Sequence, residues 1–409
     1  MEAVVAYPNS AFNHFSMRKN LSFIAAALAV MFLTWAAAFF YQNYRGASVL
    51  ITPPVRDVSI LVSSSSSPFL LPAGFTVSVF ARGLPGARVI ARDTVGNLWV
   101  SQPSESTVSL LEVRDGKVVN QRPVFKNLQK PHGLAFDPDQ PSTLYIAEEN
   151  KISRVALDSN SPMEKIADLP AGGNHTTRTI GFGPDGRLYV AIGSSCNVCS
   201  EKDDRRAKIF SMKPDGTDMK EYARGLRNTV FFTWDEKGRM WGTDMGRDYL
   251  GDDLPPDEIN ILSEDKNYGW PICYGKNIHD TNFDKNVYIR APCEEPFETP
   301  AFIDLPAHSA PLGLAFIPVG WPREYAGNLL VAYHGSWNRS VPTGYKIARI
   351  TFDAAGNYIG AEDFMTGWLV EKGVIGRPVD LLVNQGVLYI SDDRAGVIYK
   401  VEYKGDKSI

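Results

Sequence analysis

Residues 183–193 read GPDGRLYVAIG, a turn with Gly and Asp that opens into an aliphatic residue, an aromatic one and a short apolar run. The phrase is written five more times, as DTVGNLWVSQ (93–102), DPDQPSTLYIAEE (137–149), DEKGRMWGTDMG (235–246), REYAGNLLVAYHG (323–335) and VNQGVLYISDD (383–393). Its anchors, Leu98, Leu144, Leu188, Met240, Leu329 and Leu388, stand 46, 44, 52, 89 and 59 residues apart, close to the length of a four-stranded blade except at one enlarged gap. A second apolar run precedes each phrase, as in HGLAF before Asp137 and TIGFG before Pro184, so the unit is strand, tight turn, strand. Hairpins that cannot bury a face alone stack radially, and the expected fold is all-β, a six-bladed β-propeller over 70–409. The enlarged gap reads as a long insertion around Gly251 to Pro300, since that stretch holds Pro, Asp and a cysteine pair but no copy of the phrase. The C-terminal VIYKVEY and the early FTVSVFA are expected to complete one blade between them and close the ring.

The composition agrees with a large folded body. The chain has 409 residues, 44% of them hydrophobic, with 42 Lys and Arg against 46 Asp and Glu. A net charge of -4 without a long basic run lacks the footprint that phosphate-backbone binding needs, so no nucleic-acid partner is expected. The 34 Gly and 27 Pro are spread along the chain, as many tight turns between short elements require.

The N-terminus reads differently. LSFIAAALAVMFLTWAAAFFY (21–41) carries no charge, and at about 1.5 Å per residue a helix of this length crosses a hydrocarbon core of about 30 Å. Arg18 and Lys19 precede it and a lone Arg45 follows, which places 1–20 in the cytoplasm and the body beyond the membrane. The competing reading is a cleaved signal peptide, whose apolar region usually runs about 7–15 residues. Residues 42–69, with serines 63–67 and Pro68, have the composition of a flexible linker. The expected order is a cytoplasmic segment (1–20), a transmembrane signal-anchor (21–41), the linker and a periplasmic or extracellular propeller (70–409). Four cysteines suit that address: Cys196 and Cys199 form a CxxC, while Cys273 and Cys293 bracket a loop-like stretch. Two local disulfides are one reading; a zinc site is the other, against the absence of a second CxxC and of His-x3-His.

Equivalent positions in successive repeats lie on one face of the ring. Ten to thirteen residues before the anchors stand Arg88, His132, His175, Arg227 with Asn228, and Arg377, with His308 further back before the fifth. Four to six residues after them stand Glu148, Ser194, Asp244, Met245, Gly246, His334 and Asp392, and antiparallel pairing brings both sets to the same end. Clustered Arg and His suit a planar polyanion or a carboxylate-bearing cofactor, because Arg offers a fixed fork of donors and neutral His accepts a proton. On this argument His132, His334, Arg88 and His308 join the cofactor contacts. The loop TDMGRDYLGDDLPPDEIN (243–260) offers Asp248, Asp252, Asp253, Asp257 and Glu258 to a hard cation such as Ca2+, or is a solvated acidic loop.

Several motifs together resemble the glucose/sorbosone dehydrogenases that depend on pyrroloquinoline quinone (PQQ), nearest the sorbosone-type, membrane-associated branch. They are LPAGF (71–75), KPHGLAF (130–136), GGNHTTRTIGFGPDGRLYVAIGSSCNVC (172–199), ARGLRN (223–228), the 243–260 loop, KNYGWP (266–271), HGSWNRS (334–340) and GRPVDLL (376–382), spread over about Leu70 to Glu402. The resemblance implies a six-bladed propeller carrying PQQ and Ca2+ that oxidises a sugar. It implies that His175 is the general base for the C1 hydroxyl proton while hydride passes from C1 to the quinone. Arg227 and Asn228 would contact the quinone, Arg377 a cofactor carboxylate, and Gly246 and Arg247 would ligate Ca2+ through backbone carbonyls, with Glu258 a further metal candidate. The sequence departs from the soluble glucose-oxidising members at Met245, Arg247 and Ser194, where those have Gln, Pro and Asp; a lysine of the fifth repeat is replaced by His334 or Arg339. Sequons at Asn174 and Asn338 fall inside the site, which favours a bacterial periplasm over a glycosylating compartment. Cys199 is followed by Ser200, so no haem-attachment CxxCH is present, and electrons are expected to leave to an external acceptor, a quinone pool or a cytochrome. The rivals to a membrane-anchored quinoprotein sugar dehydrogenase are a metal-dependent lactonase or esterase and a non-catalytic binding propeller.

Overall fold

The computed structural model describes residues 11–43, 68–158, 162–317 and 320–405. The chain divides into two units, Met1–Arg45 and Gly46–Ile409. The first contains one α-helix, Ala11–Asn43, in which Phe23–Tyr41 is long and apolar enough to cross a membrane; a signal sequence passes the same test. Side chains such as Phe23, Leu33 and Phe40 stay exposed, as in a segment surrounded by lipid. The helix begins before residue 21, so the boundary expected at 20/21 falls inside it. Most of the expected linker, 44–67, lies outside the described residues.

The second unit is a ring of six sheets, each with four antiparallel strands; the third gains a short fifth strand. The repeated phrase is the second strand of every blade: Leu98–Gln102, Thr143–Ala147, Leu188–Ile192, Met240–Asp244, Leu329–Tyr333 and Val387–Asp392. All six anchors are at most 2% exposed. These strands read as apolar runs without strict alternation because both of their faces are covered by neighbouring blades. In four of the six blades the turn before them is held by an aspartate. Asp93 accepts the backbone N–H of Asn97 (2.8 Å) and the indole N–H of Trp99 (3.2 Å), and Asp235 does the same for Arg239 (2.9 Å) and Trp241 (3.0 Å). Gly238, at φ +77°, takes the left-handed turn position that an L side chain resists.

The innermost strands, Ile90–Arg92, Gly133–Phe136, Ile180–Phe182, Phe231–Trp234, Pro311–Phe316 and Pro378–Asn384, pair antiparallel with these second strands. The start of the first faces the end of the second, as in Gly133↔Ala147, Phe231↔Thr243 and Pro378↔Asp392. Closure follows the sequence expectation: Phe75–Arg82 adds to Val397–Tyr403 with Phe75 opposite Tyr403, so one blade is built from both ends of the body. Phe69 belongs to the propeller and not to the linker, since its ring packs on Trp368 (4.7 Å) and Tyr399 (4.9 Å).

The insertion is shorter than its sequence reading. It separates the third strand of the fourth blade, Asp257–Leu262, from the fourth, Ile303–Leu305, so Asp257 and Glu258 are strand residues and not loop ligands. Lys266–Asn267 joins the third blade in parallel, and the hairpin of Cys273–Tyr274 with Ile278–His279 carries the Cys273–Cys293 disulfide. Blades approach closely at the inner strands. A Cβ on Gly133 would lie 2.4 Å from the Arg178 carbonyl and 2.7 Å from the Ile180 nitrogen, both backbone atoms of the next blade's inner end. Gly133→Ala is therefore expected to destabilise the body by about 1–3 kcal/mol, read as a lower urea midpoint at unchanged slope. An unchanged midpoint would mean that the blades separate without cost.

Candidate active site

His175 lies in the coil leading from the last strand of the second blade, Glu164–Asp168, into the third. Its Nδ1 is 3.0 Å from the Ser194 carbonyl oxygen and 2.8 Å from Ser194 Oγ, whose own proton goes to the Cys196 carbonyl at 2.8 Å. A carbonyl only accepts, so Nδ1 carries the proton and Nε2 presents a lone pair. Burial first, and then the positive charge of Arg227, hold the imidazolium well below the usual histidine range, which keeps the ring neutral at neutral pH. Gly193 is needed for this approach, because a Cβ there would come within 2.7 Å of the His175 Cβ.

Arg227 and Asn228 begin the fourth blade. Their backbone N–H groups both end on Asp244, at 2.9 and 2.6 Å, and burial pushes this carboxyl up to about 7. The Arg227 guanidinium, 5% exposed as a residue, donates Nε to the Asn197 carbonyl (2.8 Å), Nη2 to Asn197 Oδ1 (2.8 Å) and Asp248 Oδ2 (3.1 Å), and Nη1 to the Met245 carbonyl (3.3 Å). Four of its five N–H groups are thus placed, and one on Nη1 remains. Asn338 Nδ2 donates to the other Asp248 oxygen (2.7 Å), and Asn228 Nδ2 lies 3.5 Å from Met245 Sδ.

A second group gathers from the fifth, sixth and first blades. His334 Nε2 lies 3.1 Å from both oxygens of Asp393, and Arg88 Nη1 donates to the same carboxylate at 2.8 Å. Burial opposes the charge on Asp393, yet the His334 and Arg88 contacts outweigh it and hold the carboxyl well below its usual range. Arg377 enters the sixth blade with its backbone N–H on Asp392 (2.9 Å); its guanidinium stands 5.9 Å from the Tyr345 ring, and its Nε is buried without a partner. The other two predicted contacts stand apart. His132 is 1% exposed beneath the face, Nδ1 3.3 Å from Thr179 Oγ1 and Nε2 without a partner, its ring edge-on to Phe231. His308, at φ +64°, donates Nε2 to the Gly251 carbonyl (2.8 Å) and anchors that loop.

The acidic stretch does not gather its carboxylates on one point. Asp248 holds Arg227 and Asn338; Asp252 and Asp253 take the Ser340 N–H and Arg339; Asp257 takes the Gly246 N–H (2.9 Å) and the Ser309 hydroxyl and Ala310 N–H. Glu258 accepts the Gly275 N–H (2.7 Å) and Asn260 Nδ2 (3.0 Å), and burial first, then the nearby Asp244, pushes it up to about 8. Backbone carbonyls remain. That of Gly246 accepts no hydrogen bond among the described residues, and a cavity of about 20 Å³, room for one ion or water, is lined by Arg227, Asp244, Gly246, Arg247, Glu258 and Asp280. Arg247 faces the insertion, where both oxygens of Asp280 receive Nε (2.5 Å) and Nη2 (3.0 Å), each side chain 3% exposed.

Both cysteine pairs are disulfides, Cys196–Cys199 and Cys273–Cys293. Cys196, Cys199 and Glu201 lie close enough to hold a metal, but the bonded sulfurs remove the thiolates that zinc would need. Three site residues, Asn197, Asp393 and Asp280, escape sequence reading, and a fourth, Asn338, is read only as a sequon. Asn197 is hidden inside the CxxC; Asp393 sits beside the positionally equivalent Asp392; Asp280 carries no sequence signal, being 33 residues from Arg247.

Comparison with known proteins follows this geometry. Residues 69–404 match the sequence model of the TrAA12-like family. An uncharacterized protein of Borreliella burgdorferi is 33% identical over 376 residues, covering 86% of this chain and 95% of that protein. The pyrroloquinoline quinone-dependent pyranose dehydrogenase of Coprinopsis cinerea is 26% identical over 337 residues, covering 70% of this chain but only 45% of that protein's length. Among solved structures, the calcium structure of the Trichoderma reesei family AA12 carbohydrate-active enzyme superposes with a TM-score of 0.72 at 20% identity, covering 87% of this chain and 98% of that one. At that identity the likeness speaks for the propeller fold.

Proposed function

Because the chain belongs to the TrAA12-like family, we propose that it is a quinoprotein sugar oxidoreductase, binding PQQ and Ca2+ at the end of the ring where His175, Arg227 and Arg377 stand. The observation that carries the reading is the imidazole of His175, fixed as the Nδ1–H tautomer by the Ser194 carbonyl and kept neutral by burial, so that Nε2 is a ready base. PQQ, when bound, supplies the hydride acceptor. His175 Nε2 takes the proton of the sugar's C1 hydroxyl. Ser194 does through its backbone carbonyl the orienting work for which a carboxylate would otherwise serve. The remaining Nη1 N–H of Arg227 and the amide of Asn228 are the donors that would hold the quinone. Arg377, whose buried Nε has no protein partner, takes a cofactor carboxylate. Arg88 and His334, tied through Asp393, hold their side of the face in place. The carbonyls of Gly246 and Arg247 would hold Ca2+, and both residues line the small cavity.

The substrate is an aldose or a sorbosone-type sugar, in line with the pyranose named for the Coprinopsis relative. The N-terminal helix anchors the propeller on the far side of the membrane, and electrons pass to an external quinone pool or cytochrome. The test adds Ca2+ and PQQ to the full chain and follows binding by calorimetry together with dye reduction over a panel of aldoses. Ca2+-dependent binding with turnover is expected. Absence of binding at micromolar cofactor would overturn the reading and return attention to lactone hydrolysis or partner capture.

A further inference from the structure

The CxxC loop touches both side chains on which the proposed reaction depends. The Ser194 carbonyl takes the His175 Nδ1 proton, and Ser194 Oγ is aimed by the Cys196 carbonyl. Asn197, between the two cysteines, meets Arg227 with both of its oxygens, the carbonyl on Nε and Oδ1 on Nη2, each at 2.8 Å. Its Oδ1 also accepts the Asp248 N–H at 2.8 Å, so one amide group sets Arg227 and its counter-ion together. The backbone repeats the connection: Ser194 N–H donates to the Arg227 carbonyl (2.8 Å), and Asn174 N–H, next to His175, donates to the Ser195 carbonyl (2.9 Å). Residues 193–207 contain no strand that would fix their path. Besides these bonds, the cysteine turn is closed by the Cys196–Cys199 bond and by Glu201, whose carboxylate takes the Ser195 N–H and hydroxyl at 2.6 Å each.

We propose that Asn197, held by the Cys196–Cys199 disulfide, is the positioning residue for Arg227, and that a dithiol reductant opening this disulfide disarms the site reversibly. The inference rests on the roles proposed above for His175 and Arg227. In the step, a dithiol gives two electrons and two protons to the S–S bond, which breaks to two thiols while the dithiol closes to its own disulfide. Of the two cysteines Cys199 is the less deeply buried, 9% exposed against 1% for Cys196, and it is followed by exposed Ser200. With the bond open, Asn197 turns freely, Arg227 loses two fixed acceptors and the Ser194 carbonyl is no longer held toward His175. The other disulfide, Cys273–Cys293, makes no bond to either side chain.

The test uses the full chain with dithiothreitol as the reductant and two readouts. Amide hydrogen exchange, which needs neither cofactor nor turnover, follows Ser194 and Asn174; reduction is expected to speed both while the melting temperature of the body holds. When the protein is reduced, freed of dithiothreitol and then loaded with Ca2+ and PQQ, kcat is expected to be lower by about tenfold or more with KM for the sugar nearly unmoved, and reoxidation to restore it. Cys196→Ser/Cys199→Ser starts low and no longer responds; Cys273→Ser/Cys293→Ser still responds. Asn197→Ala is low, and Asn197→Asp, which keeps the Oδ1 acceptor but loses the Nδ2 donation to the Asp248 carbonyl (3.3 Å), recovers in part. Unchanged exchange after two thiols are titrated at Cys196 and Cys199, or full kcat in Asn197→Ala, overturns the proposal. If no form turns over, the exchange readout alone decides it: faster exchange supports the clamp while the sugar-oxidation reading falls.

Discussion

Replacing His175 with alanine is expected to lower kcat by about 10²–10⁴ while calorimetric binding of PQQ and Ca2+ is retained. The size follows from the role. The ring is placed by the Ser194 carbonyl and Oγ, so its loss removes the base without disturbing Arg227 or Arg377, whose contacts lie with Asn197, Asp248 and Asp392. The pH profile carries the same signature. Burial and Arg227 depress the folded-state pKa below the reference of about 6.5, so the base stays deprotonated and kcat/KM stays flat as pH falls through about 6.5, declining only nearer the depressed value. In His175→Ala that acid limb disappears. A wild-type limb centred at or above the reference pKa would mean that the ring is solvated, and undiminished turnover in the variant would assign the proton to another group.

Asp280→Ala is expected to be the most damaging single change to stability, at about 3–5 kcal/mol, because it leaves the Arg247 guanidinium buried without its counter-charge. Its urea midpoint should drop accordingly, and Ca2+ affinity should fall with it, since the Arg247 carbonyl is a proposed ligand. The pair itself contributes far less than the cost of breaking it. Arg247→Met with Asp280→Leu, which fills the space with apolar atoms, is therefore expected to return most of the lost stability. A single variant as stable as the wild type would show that water reaches Arg247.

The ring was legible because its signal is local. Each hairpin repeats a tight turn, the same buried anchor and the same apolar run within about a dozen residues, with a turn aspartate in four of the six (Asp93, Asp137, Asp185, Asp235), so six copies announce six blades, and Phe75–Arg82 with Val397–Tyr403 close them. The end of the ring that carries His175, Arg227, Asn228, Arg377, Arg88 and His334 was legible for the same reason, since antiparallel pairing fixes which ends coincide. Position along a strand does not fix depth, however. His132 and His308 occupy the right places in the repeat, yet one is packed beneath the face on Phe231 and the other is tied to Gly251.

The acidic loop misled by composition. Its carboxylates look like a cation site when read as a string, but Asp257 and Glu258 are drawn into a strand, where backbone N–H groups claim them, and Asp248 turns toward Arg227. Charge density along a chain says nothing of which neighbour each charge meets.

Turn preference, strand burial and hydrophobic length act between near neighbours, so the class of fold, the number of blades and the apolar N-terminal helix could be read from the chain alone. Which polar atoms are committed to one another depends on the closed ring. Arg88 meets Asp393 from 305 residues away, Asn338 meets Asp248 from 90, and Arg227 meets Asn197 from 30. Such pairs form only when blades close into a ring and the insertion folds back on it, and at contact distances of about 3 Å a hydrogen bond depends on a fit that no local pattern encodes.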